Sequence, residues 1–225
     1  MSCYVVASSR SWFSDLPKSD EYGELDIHEV TAREHLTEEY LATLKPRYVF
    51  FPHWNWLVPE AIFANYECVV FHTAPLPYGR GGSPIQNLII RGHESAPVCA
   101  LQMTEALDGG PIYLSEEVSL GGSLEEILGR IGAVVERQIL QICREEPEPK
   151  DQDGEPYIFS RLSPADGELS EVYSLQELYD RIRMVDADGY PKAYIQFGKH
   201  KIEFSGAKLE NGELTANLRI FADED

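Results

Sequence analysis

Short apolar runs alternate with helical patterns, and this alternation restricts the possible folds more than any other feature of the chain. Strands are predicted over 3–8, 47–51 and 68–72, where β-branched and aromatic residues cluster. Helices are predicted between them over 36–45, from the spacing of its apolar residues, and over 59–66, which begins with proline at an N1-like position. Strand–helix alternation predicts a mostly parallel sheet covered by helices, an α/β fold of the Rossmann-like open type.

The same alternation continues with a short helix over 84–92 and strands over 97–103 and 111–120. The longest helix is predicted over 123–146 and begins with a Ser-x-x-Glu capping box. Residues 11–33 are polar and mixed, and we expect an irregular loop there. Ligands of open α/β sheets usually bind beyond the carboxyl ends of the strands, so functional residues are expected at those ends.

The composition changes at 147–156, a polar segment that either clamps over the core or links two parts of the chain. A capped helix over 174–186 follows, and alternating strands then flank an Asn-Gly turn. We therefore predict a catalytic domain over 1–146 and a small α+β extension over 147–225.

Charge and composition exclude several classes of protein. Acidic residues outnumber basic ones by 38 to 19, a net charge of −19, which disfavours a nucleic-acid partner but not a small phosphorylated ligand. No apolar run reaches the roughly 18–20 residues of a membrane span, and the N-terminus does not resemble a signal peptide. The four cysteines form no CxxC pair, so we expect reduced thiols, no metal site and a cytoplasmic protein.

The stretch "VVFHTAPLPYGRGGSP" places His72 at the end of a predicted strand, before a turn that prolines and glycines constrain. Two interpretations stay open from these residues alone. The loop is either a rigid connector with a structural histidine, or a stiff loop that presents His72 to a reacting atom. It matches neither the P-loop nor the GxGxxG pattern.

A second stretch, "EALDGGPIY", places Asp108 before two glycines and another apolar strand. A turn can bring Asp108 close to a histidine at a neighbouring strand end, where its carboxylate sets the tautomer of His72 and stabilises its charged form. Such a pair, supported by backbone N–H groups, suits proton transfer during acyl-type chemistry.

These two stretches together resemble the formyltransferases that use 10-formyltetrahydrofolate. Their motif runs roughly N-x-H-x-S-L-L-P-x-x-R-G-x-x-P and is followed by a D-x-G turn, and the resemblance covers about residues 45–145. The C-terminal region is similar, more weakly, to that of the members that modify sugars. The matching positions in this chain are His72, Pro77, Arg80, Gly81, Pro84 and Asp108.

The motif's asparagine falls on Val70. Family members use that amide to hold the formyl oxygen as it becomes an oxyanion, and the loss of one such donor costs roughly 10²–10³ in rate. The resemblance therefore implies either a substitute donor or a weak or inactive relative. Asn55 is the first candidate donor and Asn87 is the second.

The resemblance also implies binding residues for both substrates. Packing in the core remains the alternative for each residue of the pterin site, and bracing of the loop is the alternative for Arg80. The pterin site is expected at Trp56, Leu57, Glu105, Ala106 and Leu107. The acceptor site is expected at Tyr78, Arg80 and Gly81.

The implied function is N-formyl transfer from 10-formyltetrahydrofolate to a UDP- or dTDP-linked 4-amino-4,6-dideoxy sugar, with His72 as the base and Asp108 as its partner. Methionyl-tRNA and glycinamide ribonucleotide are alternative acceptors. Hydrolysis of the formyl donor, or folate binding without catalysis, is a different outcome. Exposed strand edges in the C-terminal region suggest a homodimer.

Overall fold

The computed structural model describes residues 2–9, 23, 25–170 and 173–222. Its strands are β1 Cys3–Ser8, β2 Asp26–Val30, β3 Tyr48–His53, β4 Cys68–Thr73, β5 Tyr78–Gly81, β6 Ser95–Gln102, β7 Ile112–Ser119, β8 Tyr157–Phe159, β9 Tyr194–Phe197, β10 His200–Glu210 and β11 Glu213–Ala222. Its helices are α1 Glu38–Leu44, α2 Glu60–Phe63, α3 Pro84–Ile89, α4 Leu124–Glu145 and α5 Leu175–Arg183. None of the helices in the described ranges is long and apolar enough to cross a membrane.

The chain forms two compact units that alternate along the sequence. The first comprises Met1–Arg80, Pro97–Glu117 and Ile131–Tyr157, and the second comprises Gly81–Ala96, Val118–Arg130 and Ile158–Asp225. The predicted boundary near residue 146 stays a prediction.

The six-stranded sheet has the order β2-β1-β3-β4-β6-β7. Strand β1 pairs in parallel with β2 and β3, and β3 pairs in parallel with β4, whereas β6 runs antiparallel to β4. The prediction of an α/β fold with a mostly parallel sheet is confirmed.

Strand β2 is the element that sequence reasoning missed. We expected an irregular loop over 11–33, but Asp26–Val30 pairs with β1 along the edge of the sheet. Only Val30 of this strand is buried, because an edge strand contacts a neighbour on one side, so its sequence lacks an apolar run. Residues 11–22 and 24 of that predicted loop lie outside the described residues.

One face of the sheet carries both an apolar core and His72. Phe51 of β3 lies beside Val70 of β4, and His72 follows Val70 by two positions, so the three side chains share a face. Trp54, Val70 and Met103 pack against the core of this face. That core consists of Val5, Ala7, Val30, Leu36, Leu41, Val49, Phe51, Ile62 and Cys68.

Local capping signals set several helix ends. Ser123 and Glu126 exchange hydrogen bonds before α4, and Ser174 and Glu177 do the same before α5. These reciprocal bonds satisfy backbone N–H groups that have no partner within the helix, as the capping-box pattern predicts. The helix predicted over 59–66 is shorter than expected, because only Glu60–Phe63 is helical.

The second unit contains an antiparallel sheet of the order β11-β10-β9. Asn211 and Gly212 connect β10 and β11 with φ values of 52° and 78°. A two-residue turn of this kind needs positive φ at both positions, which Asn-Gly adopts readily. The predicted Asn-Gly hairpin is therefore present.

Candidate active site

His72 is buried near the end of β4 and is held through one ring nitrogen. Its Nε2 atom lies 2.7 Å from the carbonyl oxygen of Gly79. Because a carbonyl only accepts hydrogen bonds, Nε2 carries a proton and the neutral ring has its lone pair on Nδ1. Gly79 has a φ of 89°, a backbone conformation that favours glycine. The glycine-rich loop thus sets the tautomer of the histidine.

Asp108 faces the other ring nitrogen. Its Oδ2 atom lies 3.5 Å from Nδ1 of His72, and the two side chains are 16% and 8% exposed. A proton taken up by Nδ1 would therefore create an ion pair in a site largely screened from water. The predicted pairing of His72 with Asp108 is present.

Asp108 reaches His72 through the loop that follows β6. Because β6 is antiparallel to β4, it ends beside the start of β4, where the N–H of Met103 donates to the carbonyl of Cys68. The loop after β6 must therefore return along the sheet to bring Asp108 to His72. The sequence places Asp108 in a turn, as expected, and the structure adds that this turn belongs to a folded-back loop.

Close backbone packing explains the two glycines that follow Asp108. A Cβ atom on Gly110 would lie 1.8 Å from the carbonyl oxygen of Gln102, a separation that no side chain tolerates. A Cβ atom on Gly109 would lie 2.8 Å from Cβ of Ala106 and 3.2 Å from Nη1 of Arg80. The turn can thus pass close to β6 and to Arg80 only because both positions are glycine.

Gln152 connects this turn to Arg80. Its Oε1 atom accepts hydrogen bonds from Nε and Nη2 of Arg80 at 3.0 and 2.7 Å. Its Nε2 atom donates to the carbonyl oxygens of Asp108 and Gly110 at 2.8 and 2.9 Å. Sequence reasoning did not single out Gln152. The only signal was its place in the polar segment 147–156, and these contacts favour the clamp interpretation of that segment.

Val70 occupies the position that corresponds to the family's asparagine. Its side chain is half-buried and packs against the core of its sheet face. Asn55, the first candidate for a substitute donor, is exposed on the loop after β3. The side-chain amide of Asn87, the second candidate, already donates to the carbonyl oxygens of Gly82, Ser83 and Ser160. Asn87 is therefore committed to bracing its own unit.

The residues expected to bind the pterin present apolar surface to solvent. Trp56, Leu57 and Leu107 are 37%, 92% and 70% exposed, and Glu105 and Ala106 are exposed as well. The ring of Trp54 meets that of Trp56 edge to face, with 4.8 Å between centroids. Within the described part of the chain, the buried Nε1 of Trp54 has no hydrogen-bond partner. The exposed apolar groups of Trp56, Leu57 and Leu107 fit a flat heteroaromatic ligand.

The predicted acceptor residues have partners within the protein. The ring of Tyr78 stacks on that of Tyr157 with 5.2 Å between centroids, and Arg80 binds Gln152. A Cβ atom on Gly81 would lie 2.6 Å from the carbonyl oxygen of Phe159, so the backbone of Gly81 packs tightly. These contacts order the loop after His72, and the binding of an acceptor there stays a prediction.

Cys3, Asp26 and His28 form a group on β1 and β2 whose ligand atoms lie within 4.8 Å of one another. Nε2 of His28 and Oδ1 of Asp26 are already hydrogen-bonded at 3.1 Å. Burial, followed by the charge of Asp26, raises the pKa of the Cys3 thiol, so the thiolate that a metal requires is disfavoured without the ion.

Comparison with known proteins confirms the family inferred from the motifs, whereas the C-terminal region matches a methionyl-tRNA formyltransferase model and not one of sugar-modifying members. Residues 15–133 match the family model described as Formyl transferase. Residues 164–221 match the model described as Methionyl-tRNA formyltransferase, C-terminal domain.

Curated relatives carry the name methionyl-tRNA formyltransferase. The protein of Carboxydothermus hydrogenoformans is 31% identical over 84% of this chain and 64% of its own length. The protein of Sulfurihydrogenibium sp. is 28% identical over 71% of this chain and 54% of its own length. The chain thus spans about half to two thirds of the length of these relatives.

Solved structures extend the comparison. A methionyl-tRNA formyltransferase from Clostridium thermocellum has a TM-score of 0.94 and 36% identity, covering 99% of this chain and 100% of that one. A sugar N-formyltransferase from Shewanella sp. has a TM-score of 0.68 and 15% identity, covering 100% and 99%. HypX from Aquifex aeolicus in complex with tetrahydrofolic acid has a TM-score of 0.73 and 17% identity, covering 94% and 40%. The last two likenesses show a shared fold.

Proposed function

The chain belongs to the formyl transferase family, and from this premise we propose that it transfers a formyl group from 10-formyltetrahydrofolate to an amine. The observation that carries the proposal is the buried pair of His72 and Asp108, 3.5 Å apart, in which the uncommitted ring nitrogen faces the carboxylate. That arrangement provides a proton acceptor whose charged form has a partner.

In the proposed reaction the amine attacks the formyl carbon and forms the new C–N bond, while the formyl oxygen takes on negative charge. Nδ1 of His72 accepts the amine proton, directly or through water. The proton then passes to N10 of the folate as the bond between the formyl carbon and N10 breaks, which releases tetrahydrofolate. Asp108 stabilises the transient imidazolium, and holding both reactants in one site removes much of the entropic barrier.

The developing oxyanion needs hydrogen-bond donors, and Val70 offers none from its side chain. We assign this role to Asn55, supported by backbone N–H groups. Its side chain is exposed on the loop after β3, and β3 is the strand next to β4. Asn87 is the weaker candidate because its amide is already engaged.

The formyl donor is assigned to the loops after β3 and β6. Trp56, Leu57 and Leu107 supply exposed apolar groups for a pterin. Glu105 and Ala106 complete the assigned surface with side chains that solvent reaches.

The acceptor is assigned as a UDP- or dTDP-linked 4-amino-4,6-dideoxy sugar. A net charge of −19 repels the polyphosphate backbone of a tRNA, whereas a nucleotide sugar carries only two phosphates. The solved sugar N-formyltransferase spans almost the same length as this chain, but so does the solved methionyl-tRNA formyltransferase, so length does not separate the two acceptors. Tyr78, Arg80 and Gly81 are the residues assigned to the acceptor side.

Methionyl-tRNA is the second candidate acceptor. The names of the curated relatives favour it, and so does the name of the solved structure that covers 99% of this chain at 36% identity. Both acceptors present a primary amine, so the chemistry at His72 is the same for the two.

Release of tetrahydrofolate from 10-formyltetrahydrofolate distinguishes these functions. The assay supplies dTDP- or UDP-4-amino-4,6-dideoxyglucose, glycinamide ribonucleotide, methionyl-tRNA or no acceptor, with the His72→Ala variant as a control. Release only with the nucleotide sugar supports the proposal, and release only with methionyl-tRNA supports the second candidate. Release without an acceptor indicates hydrolysis, and tight binding without release indicates a folate-binding protein.

A further inference from the structure

We propose that Gln152 is a positioning residue that, together with Arg80, holds the Asp108 turn in the orientation that faces His72. The inference rests on the proposed function and adds a residue from outside the motif stretches. All hydrogen bonds of the Gln152 side-chain amide go to groups around the candidate site.

The amide of Gln152 is fully used. Both N–H groups of Nε2 reach carbonyl oxygens, those of Asp108 and Gly110, while Oε1 receives two N–H groups from Arg80. A bond to a guanidinium is charge-assisted and therefore stronger than one between neutral groups. Only glutamine or a side chain of the same shape can accept from Arg80 and donate to both carbonyls.

The turn needs such a support. Asp108 adopts a φ of 50°, which few residues other than glycine favour, and two glycines follow it. Backbone of this kind loses much conformational entropy when it is ordered. By binding the carbonyls on both sides of Gly109, Gln152 restricts the rotations that aim the carboxylate.

Gln152 itself is anchored two residues earlier. Lys150 and Ile112 exchange backbone hydrogen bonds at 2.8 and 2.9 Å, which ties the segment to the start of β7. Arg80, which binds Gln152, also lies beside the turn, since its Nη1 is 3.2 Å from the position that a Cβ atom of Gly109 would occupy. The turn is therefore held directly by Gln152, and Arg80 acts through Gln152 on the geometry of Asp108.

Two measurements test the inference, and Gln141→Leu, which removes an exposed amide from α4, is the matched control. The first measurement is hydrogen–deuterium exchange of peptides that cover residues 103–111, which does not depend on activity. Gln152→Leu should raise exchange there at least threefold, and Gln141→Leu should leave it unchanged. Equal protection in the wild type and in both variants would overturn the inference.

The second measurement is a double-mutant cycle on kcat with Asp108→Asn, made with the acceptor that the wild type uses. Gln152→Leu should lower kcat about 10–100-fold, with a KM for the formyl donor within threefold, since a misplaced catalytic group mainly costs turnover. In the Asp108→Asn background it should lower kcat by less than twofold, because its effect passes through Asp108. If Gln152→Leu lowers kcat by the same factor in the Asp108→Asn background as in the wild type, the role of Gln152 is purely structural.

Gln152→Glu covers the case in which the leucine variant does not fold. This variant keeps the contact with Arg80 but loses both donors, and it places negative charge against two carbonyl oxygens. It should therefore raise exchange over 103–111 in the same way. If the wild type transfers no formyl group to any amine, the proposed function fails, and the exchange comparison still decides whether Gln152 holds the turn.

Discussion

Nδ1 of His72 lies 3.5 Å from Oδ2 of Asp108, while the other ring nitrogen is hydrogen-bonded to the carbonyl of Gly79. The ring is thus oriented from both sides, and only Nδ1 can gain a proton. Loss of the carboxylate charge should remove the partner of the protonated ring without opening a cavity. Asp108→Asn is therefore expected to lower kcat by roughly 10²–10⁴.

That loss is measured as tetrahydrofolate release at saturating substrates, with the melting temperature as a check of folding. His28→Ala is the control, since His28 bonds Asp26 on the edge strand. A kcat of Asp108→Asn within threefold of the wild type contradicts the role of the pair.

Restoring an amide beside His72 tests the assignment of Asn55. Asn55→Ala should lower kcat by roughly 10²–10³ if its side chain binds the oxyanion. Val70→Asn places an amide on the same face of β4, two residues from His72, and should recover part of that loss in the Asn55→Ala background. The recovery is measured by comparing kcat of the wild type, Asn55→Ala, Val70→Asn and the double variant. Unchanged activity of Asn55→Ala would remove Asn55 from the mechanism.

Gly110 should not tolerate a methyl group. In Gly110→Ala the new Cβ atom would meet the carbonyl oxygen of Gln102, so the Asp108 turn must move, with a loss of both activity and stability. Gly129→Ala is the matched control, because a Cβ atom there meets nothing within 4 Å and α4 gains roughly 1 kcal/mol of helix propensity. Chemical denaturation should give a lower free energy of unfolding for Gly110→Ala than for the wild type, and a higher one for Gly129→Ala. The formyl-transfer assay should show the loss of activity in Gly110→Ala. Equal stability of Gly110→Ala and the wild type would show that the turn accommodates the methyl group.

Ionisation of Glu67 should make the free energy of unfolding depend on pH in the acid range. Burial raises the pKa of this carboxyl, but hydrogen bonds from Tyr113 and Arg47 outweigh burial and lower the pKa below its usual range. Because the folded pKa lies below the unfolded one, the stabilisation is present above the unfolded value and is lost as the pH falls through the folded value. The difference in unfolding free energy between the wild type and Glu67→Gln should therefore shrink from pH 7 to pH 3. A constant difference would contradict the shift.

The C-terminal sheet should mediate self-association. Phe197, Leu218 and Ile220 are 71%, 61% and 59% exposed, which is unusual for large apolar side chains of one small sheet. Leu218→Glu is expected to shift a dimer to a monomer in sedimentation velocity, with a change at the exposed Leu175 at the start of α5, Leu175→Glu, as the control. A wild type that is monomeric at all concentrations would contradict the predicted homodimer.

The α/β class and the hairpin could be predicted from the chain because they depend on local patterns. Apolar runs such as 68–72 mark buried strands, the Ser123–Glu126 pair marks the start of α4, and Asn211-Gly212 marks a turn. Strand β2 could not be predicted, because an edge strand buries too little surface to require an apolar sequence.

The candidate site also has some features that the sequence predicts and others that only the tertiary structure shows. The identities of His72 and Asp108 could be inferred from their motifs, because a loop rich in proline and glycine is visible in the sequence itself. Their meeting through a folded-back loop, the commitment of Asn87 to backbone carbonyls and the bridge from Arg80 to Asp108 through Gln152 required the tertiary structure. Side-chain hydrogen bonds between distant segments leave no periodic trace in a sequence, since they depend on where the backbone brings the segments together.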